Sequence, residues 1–324
     1  MEQADRRGRR DQARRRTDRQ RRTVFTAAGA GALLLVAVLG LAALSGERRT
    51  AAGPRRRRHP PPELPRGGRS VFPEFRVFGF YGSPEEEELG VLCIGSPASV
   101  AKKLERQARP YAQGPGARSI LPAFELIAVI ANASAGDDAK FRTRLEPDQI
   151  RRYLTAARRA RALLILDVQP GRADFLDEIA ALEPFLAQPD VGLALDPEWH
   201  MGEDEVPGET IGSMTAEEVN AISARLAEIV RRRRLPEKVL VVHQFTKDMV
   251  EDRERLRRYP GVELVLNVDG FGDRKLKVDK YREFVRGRDS ARHGFKLFYR
   301  EDTNLMGPPD VLSLRPQPEF VVYE

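Results

Sequence analysis

Leu193-Ala194-Leu195-Asp196-Pro197-Glu198-Trp199-His200 decides how this chain folds and where its chemistry sits. The apolar run reads as a buried strand, and its far end turns abruptly into two acids, an indole and an imidazole. Side chains alternate along a strand, so Asp196, Glu198 and His200 are expected on one side, crowding one mouth of a sheet. Paired carboxylates at such a mouth suit proton transfer. The competing reading is that Asp196 and Glu198 merely end the strand and cap the next segment.

Seven more short apolar runs flank this one: Arg76–Tyr81, part of Ile120–Ile130, Ala162–Val168, Val239–His243, Glu263–Val268, Phe295–Tyr299 and Phe320–Tyr323. Several are apolar along nearly their whole length, as buried parallel strands tend to be. Glu125 is an odd charge in the second run and reads as a sign that this strand starts at Leu126. Helical stretches fit between the runs. Ser96-Pro97 supplies an N-cap with Pro at the first helical position, Thr215-x-x-Glu218 is a capping box opening a helix to about Arg233, and Thr246 can cap a helix after the fifth strand. The acidic run Glu85–Glu88 suits the first turn of another.

Eight strands with intervening helices in about 250 residues predict an α/β chain folded as a (β/α)8 barrel. The phosphate-binding glycine motifs of doubly wound sheets are absent. Glu324 follows the eighth strand at once, so the usual last helix is missing, and the segment before Phe75 or the loop after Asp302 is expected to cover that flank. Barrel enzymes work at the C-terminal ends of their strands, and the polar residues gather there: Asp167 and Gln169, then Asp196, Glu198, Trp199 and His200, then His243 and Gln244, then Asn267 and Asp269, then Tyr299 and Glu301. Caps alone would favour Ser, Thr and Asn at such positions.

At Asp196-Pro197-Glu198-Trp199 the chain resembles the strand-four D-x-E of barrel glycoside hydrolases, chiefly the secreted lysozymes and more distantly the chitinases. The resemblance implies Glu198 as proton donor and Asp196 as its helper. A glycosidic bond also needs a group that stabilises positive charge at the anomeric carbon, and Asp269 is the candidate. A different clan of barrel glycosidases carries its nucleophile on strand seven, which would make that residue Glu301. The chain departs from these patterns in having Val77–Gly82 where the lysozymes carry a strand-one Asp, Val191 and Ala194 where chitinases carry further acids, and Pro197 where the second clan has Asn. Through Leu193–Trp199, Val241–Phe245, Asn267–Gly270 and Leu297–Thr303 it is also similar to a set of uncharacterised membrane-anchored or lipoprotein-type proteins of GC-rich Gram-positive bacteria, which implies no activity.

Substrate contacts are then expected from Trp199, His200, His243, Gln244, Asp167, Gln169 and Tyr299, with Trp199 either stacking on a sugar or packing under its loop. A metal-dependent hydrolase or deacetylase using His200 and His243 with Asp167, Asp196 and Asp269 is an alternative, although H-x-x-x-H, H-x-H and C-x-x-C are all absent; a non-catalytic carbohydrate-binding barrel is another. The leading reading needs no cofactor and no metal.

Charge divides the chain. Of 55 Lys+Arg and 48 Asp+Glu, residues 1–70 hold 18 Arg and 6 acids, leaving 37 basic and 42 acidic residues beyond. The later part is thus acidic by 5, which gives no electrostatic case for binding nucleic acid. Residues 1–22 form an Arg-rich tail. Residues 23–46 are uncharged, and Val24–Leu44 has about the 20 apolar residues that a membrane-crossing helix needs. Ten preceding Arg would keep the N-terminus cytoplasmic and the rest outside, as a single-pass anchor, or as a secreted protein if cleaved near residue 45. Residues 47–72 read as a Pro/Arg-rich linker, with Arg55–Arg58 solvated in it, and residues 73–324 as the barrel, acting on cell-envelope or extracellular polysaccharide. Cys93, the single cysteine, reads as a small buried residue.

Overall fold

The computed structural model describes residues 60–324, apart from 85–87, 115 and 287–289. The tail, the spanning segment and the acidic run at 85–87 lie outside them. Among the described residues, no helix is long and apolar enough to cross a membrane.

Eight parallel strands close on themselves: β1 (Phe75–Gly82), β2 (Ser119–Ala131), β3 (Leu163–Val168), β4 (Val191–Leu195), β5 (Lys238–Gln244), β6 (Val262–Val268), β7 (Arg292–Leu297) and β8 (Phe320–Tyr323). Each pairs with the next and β8 pairs with β1. This is the α/β barrel the apolar runs predict. The crossovers carry α1 (Pro97–Ala108), α2 (Pro147–Arg159), α3 (Phe175–Leu186), α4 (Ala216–Arg233), α5 (Arg274–Phe284) and α6 (Pro308–Ser313).

Local signals set the helix ends. Ser96 accepts the Ser99 amide at the start of α1, and the Thr215–Glu218 box opens α4, each side chain taking the other residue's backbone N–H. Such a cap contributes about 1 kcal/mol. Thr246, by contrast, opens only a short 3-10 turn, Lys247–Met249, and makes no side-chain cap bond; among the described residues the β5–β6 crossover holds no α-helix.

Register fixes what points inward. Tyr81 lies opposite Glu125, Asp167 opposite Ala194, His243 opposite Asn267, and Lys296 opposite Val322. Paired parallel residues share a face, so Tyr81, Glu125, Asp167, His243, Asn267 and Lys296 form a polar row inside the barrel. Glu125 is therefore well inside β2 and fully buried, not a sign that the strand starts after it. The inward-facing small residues Gly79, Ala123, Ala194 and Gly294 leave space for these long side chains; a Cβ on Gly294 would lie 2.5 Å from Asn267 Oδ1.

The base of the barrel is closed by Pro60–Glu74. Arg69 donates to the carbonyls of Pro62 (2.6 Å) and Leu235 (2.6 Å), and the Val71 amide donates to Glu237 (2.7 Å). Leu64, Val71 and Phe72 are buried. Residues 60–72, expected to be linker, are thus part of the packed body. On the β8–β1 flank, α6, from the segment after Asp302, contacts the 3-10 turn that follows α1. Tyr111, in a 3-10 turn after α1, packs 4.9 Å from the Phe78 ring and shares a hydroxyl hydrogen bond with Tyr323.

Candidate functional site

β4 ends at Leu195, and Pro197–Trp199 forms a 3-10 turn instead of continuing the strand. Asp196 makes no side-chain cap bond to that turn. Asp196, Glu198 and Trp199 all line a cavity of about 260 Å³ at the mouth, with Gln169, Asp269 and Glu301. The turn breaks the strand's period of two, so His200 does not follow Asp196 and Glu198. Its Nδ1 meets the Ser213 carbonyl at 3.0 Å and its ring packs on Phe175, away from the cavity.

Beneath the cavity floor, ionisable groups interlock. His243 is fully buried, with Nδ1 3.0 Å from Asp269 Oδ2 and Nε2 3.0 Å from Glu125 Oε1. Lys296 extends its ammonium 3.2 Å from Asp269 Oδ2 and 2.7 Å from Glu324 Oε2, and lies 3.9 Å over the Tyr81 ring. Asp269 also accepts the Gly270 amide at 2.7 Å. Tyr81 donates to Asp167 at 2.8 Å, and Gln169 donates to the Tyr81 hydroxyl. Three buried oxygens here, Glu125 Oε2, Asp167 Oδ1 and Asn267 Oδ1, have no hydrogen-bond partner among the described residues.

These contacts divide the carboxyls into two kinds. Burial alone would raise Asp269, but Lys296 and then His243 hold it well below the ordinary carboxylate range. Burial and the Asp269 charge push Glu198 up to about 7. Burial, Glu198 and Asp167 push Asp196 far above its ordinary value, and Asp167 rises to about 6, chiefly through burial. Burial disfavours the charged forms of His243 and Lys296, but their hydrogen bonds and neighbouring acids reverse this and raise both. At neutral pH the mouth thus carries an ionised carboxylate and a half-protonated one in a single cavity.

Other expected contacts lie elsewhere. Gln244 alternates outward from His243, donates to the Thr246 carbonyl and accepts from Arg253. Tyr299 is exposed, hydrogen-bonds Gln107 on α1 and lines a separate cavity outside the strands. Asp167 and His243 sit under the floor and do not line the cavity. Glu301 stands exposed at its rim. With His200 turned away, the two-histidine arrangement does not form, and among the described residues no three His, Cys, Asp or Glu are grouped so as to hold a metal.

Sequence reasoning passes over Tyr81, Lys296 and the aromatic rim of Phe245, Phe271 and Phe298. A lone cation between Phe295 and Leu297 is as odd in an apolar strand as Glu125 is in its own, and that pair of opposite charges is the signal that could have found them. Phe271, 61 % exposed, follows Asp269-Gly270 directly. No family model matches this chain, and no curated protein matches it.

Proposed function

We propose that the barrel is a glycoside hydrolase in which Glu198 is the general acid and Asp269 the ionised carboxylate that stabilises positive charge at the anomeric carbon. The observation that supports it best is the split of the two carboxyls within one cavity. Glu198 titrates near neutrality and can hold a proton for the leaving oxygen, while Lys296 and His243 keep Asp269 ionised. Two carboxyls driven to opposite protonation states are what acid-assisted glycoside cleavage requires. Asp196, raised by its burial beside Glu198, supports the donor in its protonated form. Trp199 and Phe271 supply apolar faces against which a sugar ring can stack. On this proposal the chain is held by Val24–Leu44 in the cell membrane, with the barrel outside, and its substrate is cell-envelope or extracellular polysaccharide.

The test is hydrolysis of a panel of cell-wall and extracellular glycans by the full chain, beside Glu198→Gln and Asp269→Asn. Both substitutions keep size; Glu198→Gln removes the proton donor and Asp269→Asn removes the stabilising charge, and each is expected to lower kcat by about 100-fold or more. Glycan binding without turnover in all three proteins would replace the enzyme reading with a binding module.

A further inference from the structure

We infer that a second cavity, on the other side of Glu198 and Trp199, receives the leaving-group sugar, and that this sugar is neutral or amine-bearing. The inference rests on the glycosidase reading. A donor carboxyl must stand at the bond between the unit whose anomeric carbon reacts and the unit that departs, so it belongs on a wall shared by two spaces. Glu198 and Trp199 form such a wall. They line the central cavity with Asp269, and they also line a neighbouring cavity of about 240 Å³ with Gly208, Glu209, Thr210 and Ile211. Both spaces fall below the roughly 300–1,000 Å³ of sites for drug-sized ligands, as fits one ring in each.

The loop that builds the second space is pinned to the donor's own turn. The Gly212 amide donates to the Glu198 carbonyl at 2.7 Å, and the Ser213 carbonyl meets His200 at 3.0 Å. Contact is so close that a Cβ at Gly212 would lie 2.5 Å from the His200 carbonyl oxygen. Donor and leaving-group space therefore keep a fixed mutual geometry. Ile211 is 58 % exposed in this pinned loop, an apolar face left open beside Trp199 where a sugar ring can lie.

Charge selects the sugar. Residues 202–213 contain Glu203, Asp204, Glu205 and Glu209 but no Lys or Arg, and the central cavity adds Asp196, Asp269, Glu301 and Glu324 against Lys296. A uronate or phosphate-bearing unit would be repelled from both spaces, whereas a hydroxyl-only or amino sugar finds acceptors.

The probes are neutral glucan oligomers, β-1,4-linked amino-sugar oligomers with free or acetylated amines, polygalacturonate, and aryl glycosides of the same sugars. The full chain is compared with Ile211→Ala, Glu209→Gln and Glu198→Gln. Cleavage of a neutral or amino-sugar oligomer is expected, with polygalacturonate untouched. On that oligomer Ile211→Ala should raise KM about tenfold, yet leave kcat/KM for the matching aryl glycoside within twofold, because the aryl group does not fill the second space as a sugar does. An Ile211 variant equal to native on the oligomer, with Glu198→Gln inactive, overturns the leaving-group site and leaves the glycosidase standing. Cleavage of polygalacturonate overturns the charge argument. No cleavage by native protein, or full activity in Glu198→Gln, overturns the glycosidase reading and this inference with it.

Discussion

Lys296 holds its ammonium 3.2 Å from Oδ2 of Asp269, inside a strand whose flanking residues, Phe295 and Leu297, are apolar and buried. The same cation also draws the Glu198 pKa down against burial and the Asp269 charge. For the proposed reaction, kcat/KM should fall as pH rises through about 7, where Glu198 loses its proton. Lys296→Met removes the downward pull, so the basic limb should move to higher pH. It should also cost about 3–5 kcal/mol of stability, since Asp269 and Glu324 lose a buried partner. A pH–rate profile of the variant with an unmoved limb would remove Glu198 as the titrating acid.

Glu198 also sets a stability trend. Its folded-state pKa lies above its ordinary value of 4.5, so the unfolded chain ionises first as pH rises. Stability is lost between about pH 4.5 and 7 and the loss is complete above 7. Glu198→Gln abolishes this loss. Melting temperatures of native protein and variant should coincide near pH 4 and separate by a few degrees at pH 8, with the variant higher. Parallel curves across that range would show that the site imposes no such cost.

The buried chain Glu125–His243–Asp269 predicts strong coupling. His243→Ala leaves the Glu125 carboxylate buried without its cation and should destabilise by about 3–5 kcal/mol. In the double variant Glu125→Gln, His243→Ala, much of that cost disappears, because no buried charge is left unpaired. Denaturant titrations of the four proteins test this, and additive losses would mean that the two residues act independently.

Gly212 reports on the turn that carries the donor. Gly212→Ala forces a methyl toward the His200 and Pro197 carbonyls, both within 2.6 Å of the added atom. The loop must shift, and Glu198 with it. Hydrolysis should fall by about 100-fold, as a displacement near 1 Å can cause, while the circular dichroism spectrum stays native. An unchanged rate would show that the loop and donor are not mechanically joined.

The barrel was legible because each strand is buried on both faces and so reads as an apolar run; Leu163–Val168 and Phe320–Tyr323 match the expected bounds almost residue for residue. Asp196, Glu198 and Asp269 could be placed at the mouth once the strands were counted. Errors arose where direction, not position, was at stake. His200 is redirected by the 3-10 turn that Pro197 opens, and Gln244 by the alternation that sends His243 inward. Glu125 and Lys296 were hidden because each is stabilised by partners far away in sequence: His243 for the first, Asp269 and Glu324 for the second. Nothing local announces such pairings.

Arg69, which clasps the carbonyls of Pro62, Arg234 and Leu235, has a practical meaning for anyone trimming the gene. The apolar pattern invites a cut near Pro73, which would remove this arginine with Leu64, Val71 and Phe72 and leave Glu237 without the Val71 amide. A fragment begun there exposes the floor of the barrel to water, so its inactivity would speak of damage at the opposite pole from Glu198. Where the chain is cut decides whether a silent assay measures chemistry or folding.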